Sequence, residues 1–154
     1  MKSMVDIDVV IDGKYTEPKV TIYAKEKNDE VEKLIYALET ASENAFPAIP
    51  AHSSEERLEM LSQRDIIRAY TQGRKVMVQT GEGHYTVRKS LSSLEEDLNP
   101  KRFIRISQSE IINFNKVKSF DINTVGTIGI EFDNGTRSWA SRSRVKYVKA
   151  LLKE

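Results

Sequence analysis

The sequence contains no cysteine and only two histidines in 154 residues. Without cysteine the chain can form neither a disulfide nor a thiolate metal site, and nothing in it requires an oxidising compartment. It also lacks an apolar run near the roughly 18 residues that a membrane-spanning helix needs. The first residues alternate acidic and aliphatic side chains, where a signal peptide would have a continuous apolar core. We therefore expect a soluble, cytoplasmic protein.

Residue types that carry enzyme chemistry are few and scattered. His52 and His84 lie far apart in the sequence, and neither has a metal-ligand pattern around it. Gly81-Glu82-Gly83 is flanked by strand-like residues, so it predicts a hairpin turn and not a phosphate-binding loop. The early aspartates do not have the spacing of a calcium loop. The sequence thus predicts no catalytic residue, no metal site, no cofactor and no enzyme.

Charge is distributed unevenly along the chain, although the net charge is only +1. Residues 1–61 carry seven Lys and Arg against 13 Asp and Glu, whereas residues 62–154 carry 17 against ten. A basic segment of this kind is typical of a nucleic-acid binder. The same asymmetry also arises when two parts of one protein attract each other, and the two interpretations are compatible.

The start of the chain has the pattern of a small β-β-α segment. Apolar residues alternate with polar ones over residues 5–11 and form a second short run over 19–24, which predicts two strands. Asn28 or Asp29 can cap a following helix whose apolar residues fall on one face.

A change in composition predicts a boundary between two domains. Residues 46–54 contain two prolines and several small polar residues, which is typical of a connection. We therefore predict an N-terminal segment over residues 1–50 and a second domain over residues 54–154.

Beyond residue 57, short strand patterns separated by turns predict a mainly β domain. Ser90 is the expected cap of a helix over residues 91–98, which should stop at Asn99-Pro100. The predicted strands cover residues 58–61, 65–70, 75–80, 84–89 and 103–107.

The last part of the sequence predicts a hairpin followed by a helix. Asn134-Gly135 is typical of a two-residue turn, which would place Trp139 opposite Ile130 on the apolar face. Residues 144–153 then predict a helix with an apolar side and a lysine-rich side, capped by a preceding serine.

Residues 102–114 contain the most informative pattern in the chain. A strand-like run with Phe103 and Arg105 leads into a polar turn, then Ser109, two isoleucines and Asn113. This pattern resembles the signature of the LytTR family of DNA-binding domains. Three further stretches fit the same family in the same order, and they cover residues 65–70, 85–98 and 134–142. The resemblance extends over roughly the last two thirds of the chain.

The resemblance implies a mainly β fold with some α structure: elongated antiparallel sheets of short strands, with short helices. In this family, side chains on loops contact DNA in successive major grooves, without a recognition helix. Three loops matter, and they correspond here to residues 72–75, to residues 107–108 and to the segment before the final helix. The predicted base-contact residues are therefore Arg74, Ser107, Gln108, Arg142 and Arg144. Gln and Arg suit this role because they can make paired hydrogen bonds to adenine and guanine, respectively.

Basic residues elsewhere in the second domain are predicted phosphate contacts, which orient a protein on DNA without specifying sequence. The candidates are Lys75, Arg88, Lys89, Lys101, Arg102, Lys116 and Lys118. Ser109 and Asn113 match the family pattern, and we expect both to support the second loop through hydrogen bonds to the backbone.

The resemblance further implies a bacterial, sequence-specific transcriptional regulator that binds double-stranded DNA, and we expect a homodimer. Residues 1–50 are too few for the phosphate-accepting receiver domain that often precedes a LytTR domain, so we expect this segment to dimerise the protein or to receive its control. The chain is more similar to small stand-alone LytTR regulators, some of which are restrained by a small membrane protein encoded beside them. The alternative from another class is a protein-interaction module whose basic face docks an acidic partner.

Overall fold

The computed structural model describes residues 5–43, 46–122 and 126–152. The chain divides into two compact units, Met1–Leu38 and Glu39–Glu154. In the first unit, the described residues before the helix form no strand. They contain one turn, in which the Tyr15 amide donates to the Asp12 carbonyl at 3.2 Å.

The two strands predicted over residues 5–11 and 19–24 are therefore not formed. The aliphatic side chains of this region are exposed, and Ile11 has an exposed fraction of 89%. An isolated pair of strands is only marginally stable in water and needs further strands or a packed helix to cover its apolar face. No residue described in the first unit is buried, so no core covers the apolar side chains of these residues. The alternation of apolar and polar residues was therefore not sufficient to form paired strands.

The helix predicted to follow these residues is confirmed as α1, Asp29–Glu43, which continues into the second unit. Asn28 caps α1, because its Oδ1 accepts the Val31 amide at 3.1 Å. Acidic residues in the first turn also suit the positive end of the helix dipole.

Two antiparallel sheets dominate the second unit, which confirms the predicted mainly β fold with a few helices. Its described strands are β1 Ile49–His52, β2 Leu58–Leu61, β3 Ile66–Gln72, β4 Lys75–Thr80, β5 Gly83–Val87, β6 Phe103–Ser107, β7 Glu110–Asn113, β8 Val117–Asp121, β9 Ile128–Phe132 and β10 Arg137–Ala140. The helices α2 Leu91–Asp97 and α3 Arg142–Leu152 complete the unit. The larger sheet has the order β2-β1-β5-β4-β3-β7-β6, and the smaller one has the order β10-β9-β8.

The predicted connection over residues 46–54 contains β1, which lies between β2 and β5. Ile49 and Ala51 of this strand are buried in the core. Proline disfavours an interior strand because it cannot donate a ladder hydrogen bond. Pro50 is tolerated here because β1 pairs with β5 only at the other end of the strand, between His52 and Thr86.

Each face of the larger sheet has its own apolar core. Neighbouring residues of one strand point to opposite faces, so Ile111 and Ile112 belong to different cores. On the Ile111 face, α2 packs its buried residues Leu91 and Leu94. On the Ile112 face, the smaller sheet and α3 provide the cover. Ser90 caps α2 as predicted, accepting the Ser93 amide at 3.1 Å.

The hairpin after β9 corrects one prediction. Trp139 lies opposite Gly129 and not Ile130, and 57% of it is exposed. The turn contains three residues instead of two, with Gly135 at a φ of +86°. One extra turn residue shifts the register by one position, which moves every following side chain to the other face of the strand. Trp139 therefore packs over Gly129 on the outer face and not in the core.

Candidate nucleic-acid interface

The three predicted DNA-contacting loops lie at one end of the larger sheet, which we call the loop end. It is formed by Gly73-Arg74 between β3 and β4, Gln108-Ser109 between β6 and β7, and Ser141-Arg142 at the start of α3. The first two turns belong to adjacent hairpins, because β3 pairs with β7. A backbone hydrogen bond joins them, from the Thr71 amide to the Ser109 carbonyl at 2.9 Å. At about 4.8 Å between strands, the centres of these hairpins lie about 10 Å apart.

A second backbone hydrogen bond brings the start of α3 to the same place. The Ser141 amide donates to the carbonyl of Ile106 at 2.9 Å, and Ile106 lies two residues before the β6–β7 turn. The Ser141 carbonyl in turn accepts the Arg144 amide at 2.9 Å, so α3 begins at Arg142, two residues earlier than predicted. The three loops are thus neighbours in space although about 70 residues separate the first from the last.

Most of the predicted base-contact side chains at the loop end are accessible. Arg74, Gln108 and Arg142 are exposed, whereas Ser107 is half-buried. Arg144 is also half-buried, and its guanidinium lies over the Tyr147 ring, 5.4 Å from the ring centroid. This contact leaves Arg142 as the more accessible guanidinium at the start of α3.

Two predicted phosphate contacts join this group. Lys75 is the exposed first residue of β4. Arg88 follows Val87, which pairs with Val76, so Arg88 lies beside Lys75 at the loop end. Together with Arg74, Arg142 and Arg144, these residues place five basic side chains along the loop end, from β5 to α3.

Four of the remaining predicted phosphate contacts lie elsewhere. Lys101 and Arg102 precede β6, and Lys116 follows β7, which places all three at the opposite end of these strands. Lys118 forms an ion pair with Glu131 at 3.6 Å. The fifth, Lys89, directly follows Arg88 but is paired with Asp97 of α2.

The β6–β7 turn is held by an internal hydrogen-bond network. The Ser107 hydroxyl accepts the Ser109 amide at 3.2 Å, and the two hydroxyls lie 3.3 Å apart. Arg105 donates to the carbonyls of Ser107 and Gln108, at 2.7 and 2.5 Å, and to Glu95 of α2 at 3.0 Å. Sequence reasoning gave Arg105 no role beyond its match to the motif. A charged residue among buried neighbours of β6 was the signal that could have indicated an internal partner.

Asn113 lies at the other end of β7 and is fully buried. Its Nδ2 donates to the Ile66 carbonyl at 2.8 Å, and its Oδ1 accepts the Asn115 amide at 3.0 Å. The side chain therefore connects β7 to β3 and to the single-turn 3₁₀ helix Phe114–Lys116. Contrary to the prediction, these hydrogen bonds stabilise this end of the sheet and not the second loop.

Acidic side chains near the loop end are paired with internal arginines. Glu110 contacts Arg68 at 3.3 Å, and Glu95 contacts Arg105. The positive charge of the five basic residues is therefore not cancelled by these two acids. Nowhere in the described part of the chain does a cluster of His, Asp and Glu side chains form that could hold a metal ion. No helix in this part has the length and apolarity to span a membrane.

The family model described as the LytTr DNA-binding domain matches residues 56–153. The chain belongs to the LytTR family. The LytTr DNA-binding domain of a Bacillus cereus protein is a similar solved structure, with a TM-score of 0.65 and 26% identity. The similarity covers 68% of this chain and 96% of that LytTR domain.

Two Staphylococcus aureus proteins, from strains MSSA476 and MW2, are each 26% identical to this LytTR chain over 149 residues. The matches cover 97% of this chain and 99% of the relatives, so they include the first unit. Both relatives are named uncharacterized HTH-type transcriptional regulators, a term for helix-turn-helix proteins. In the part of this chain that the structure describes, strands separate the three α-helices, so no two of them form a helix-turn-helix pair. The observed architecture agrees with the LytTR match.

Proposed function

We propose that this LytTR protein is a sequence-specific transcriptional regulator whose loop-end side chains contact base edges in successive major grooves of double-stranded DNA. The observation that carries this proposal is the convergence of three sequence-distant loops, fixed by the Thr71–Ser109 and Ser141–Ile106 hydrogen bonds. The loops present amide and guanidinium groups beside further basic residues of the loop end. This combination suits base contacts supported by phosphate contacts.

The geometry favours a ranking of the predicted residues. Gln108, Arg142 and Arg74 are the leading base contacts, because all three are exposed and long enough to enter a groove. Ser107 and Arg144 are base contacts of second rank, because both are half-buried. Lys75 and Arg88 are assigned to phosphates first, since they flank the loops. Lys101, Arg102, Lys116 and Lys118 would contact DNA only if it extends beyond the loop end, whereas Lys89 would first have to leave its ion pair with Asp97.

The proposal is tested by fluorescence anisotropy with the full chain at about 150 mM salt, a concentration at which purely electrostatic binding is weak. The probes are the region upstream of its own operon and a random duplex of equal length. We expect at least about a thousandfold preference for the specific site. Equal affinity for both probes would contradict sequence-specific binding. Selective binding of an acidic protein in place of DNA would favour the protein-interaction alternative.

We further propose that the regulator is a cytoplasmic homodimer and that the N-terminal segment, residues 1–50, holds the dimer or receives its control. The exposed aliphatic residues of the first unit support this assignment, because strand-patterned apolar surface usually has a partner. Control by a small membrane protein is one form this could take. Sedimentation equilibrium of the full chain and of a chain lacking the first unit tests the dimer. A monomeric full chain at micromolar concentration would contradict it.

A further inference from the structure

Arg105 occupies an internal position directly below the β6–β7 turn. Its side chain is 13% exposed, whereas that of its partner Glu95 is 44% exposed. Each of its three guanidinium nitrogens donates a hydrogen bond: Nε to the Ser107 carbonyl, Nη2 to the Gln108 carbonyl and Nη1 to Glu95 Oε1. The guanidinium is thus engaged within the protein and is not directed at a ligand.

The carbonyls that Arg105 binds belong to the two residues proposed to contact bases in the second loop. A planar guanidinium can hold two carbonyls and one carboxylate at the same time, because its N–H groups are fixed in a fork. A lysine ammonium has no such fixed geometry. The chemistry of this position therefore requires arginine and not simply positive charge.

Glu95 connects this arrangement to the core. It lies on α2, between Leu94, which is buried against the larger sheet, and the end of the helix. α2 is fixed at its start by the Ser90 cap and at its end by the Gln63 side chain, whose Nε2 donates to the Asp97 carbonyl at 2.8 Å. Arg105 hydrogen-bonds both to Glu95 of α2 and to the carbonyls of the β6–β7 turn, so the position of α2 helps to fix the orientation of this turn.

We propose that Arg105, oriented by Glu95, is a positioning residue for base selectivity: it fixes the backbone from which Ser107 and Gln108 project, without contacting DNA itself. This inference rests on the proposed function. Base contacts depend on side-chain position, whereas phosphate attraction depends mainly on charge. Loss of the Arg105 network should therefore lower affinity for the specific site and leave random duplex binding almost unchanged.

The test uses the full-length chain with a duplex selected by the wild-type protein from a random library. Arg105→Lys keeps the charge but not the fork, and we expect at least about a tenfold loss of specific affinity, the effect of losing a charged hydrogen bond. Glu95→Gln should change affinity in the same direction by about threefold, as expected for a partly exposed ion pair. Arg137→Lys is the matched control. Arg137 also pairs with a glutamate, Glu131 at 3.0 Å, but it lies at the start of β10, away from the loop end.

Affinities are measured per active molecule and well below each melting temperature, so that partial unfolding does not imitate a loss of selectivity. A third variant, Arg105→Gln, removes the positive charge. The slope of the logarithm of affinity against the logarithm of salt concentration should stay unchanged in this variant. A slope smaller by about 0.9, with equal losses on specific and random duplexes, would show a direct phosphate contact and overturn the proposal. If Arg105→Lys does not fold, an unaltered selectivity in Glu95→Gln overturns it. If the wild-type protein selects no duplex, the proposed function is refuted together with this inference. If the wild-type protein is selective and Arg105→Lys is equally selective, only this inference is refuted.

Discussion

Replacing Asn113 with alanine should destabilise the second unit strongly, because this buried side chain satisfies one backbone group in the core and a second at the start of the 3₁₀ helix. The Ile66 carbonyl and the Asn115 amide would both lose their partner. Ile66 lies beside an irregularity in the β3–β4 pairing, where the ladder offers no ready replacement. The buried Ile66 carbonyl left without a partner costs about 1–3 kcal/mol, and loss of the cap on the Asn115 amide costs about 0.5–2 kcal/mol, so we expect a total loss of about 2–5 kcal/mol.

A loss of this size is large compared with the total stability of most domains, which is about 5–15 kcal/mol. At about 3 °C per kcal/mol for a chain of this length, the melting temperature should fall by about 6–15 °C. Circular dichroism during heating, together with urea denaturation, measures the change. DNA selectivity below the new melting temperature should be kept, since Asn113 lies at the far end of β7 from the loop end.

Asn115→Ala is the matched control for this experiment. It makes the same truncation two residues away, at an exposed side chain whose backbone amide still donates to Asn113. Its effect should stay within about 0.5 kcal/mol, as for other surface substitutions. If Asn113→Ala and Asn115→Ala melt within about 2 °C of each other, the reasoning about unsatisfied backbone groups is wrong.

Four further expectations follow from the structure. Arg142→Ala and Gln108→Ala should each lower specific affinity by about tenfold to a hundredfold while random binding barely changes, and unchanged selectivity in competition gel shifts would remove that residue from the list of base contacts. The logarithm of wild-type affinity should fall linearly with the logarithm of salt, with about four to seven phosphates per subunit at about 0.9 each, whereas a flat titration would favour a protein partner. A fragment over residues 54–154 lacks β1 and its two buried side chains, so it should melt well below the fragment over residues 46–154, and equal melting temperatures would show that β1 is dispensable. Trp139, the only tryptophan, should be readily quenched by acrylamide in the native protein, and a blue-shifted, protected emission would contradict its exposed position.

Features that depend on a few neighbouring residues could be predicted from the sequence. The Asn28 and Ser90 caps each need only an amide three residues ahead. The pattern of apolar and polar residues likewise predicted most strands of the larger sheet, because one or both faces of these strands are buried. The motif from Phe103 to Asn113 identified the family because its polar and apolar positions match a fixed local arrangement.

Features set by distant partners could not be predicted in this way. The strand β1 has a proline in its middle and depends on β2 and β5, which no local pattern indicates. Residues 5–11 have better strand alternation than β1 but form no strand. The face occupied by Trp139 was predicted wrongly for a local reason, because the preceding turn has three residues and not two. The sequence also does not show whether the side chain of a strand arginine such as Arg105 points to a ligand or into the protein.

The links that hold the loop end together have a consequence for how binding preference can change. Both the Thr71–Ser109 and the Ser141–Ile106 hydrogen bonds join main-chain atoms only, so they survive nearly any substitution that keeps the backbone path. The spacing between loops is therefore independent of the side chains that the loops display. Variants with new residues at positions 74, 108 and 142 could be screened as a combinatorial library for altered operators on one unchanged scaffold. Paralogues could diverge in target sequence by the same route without first losing stability.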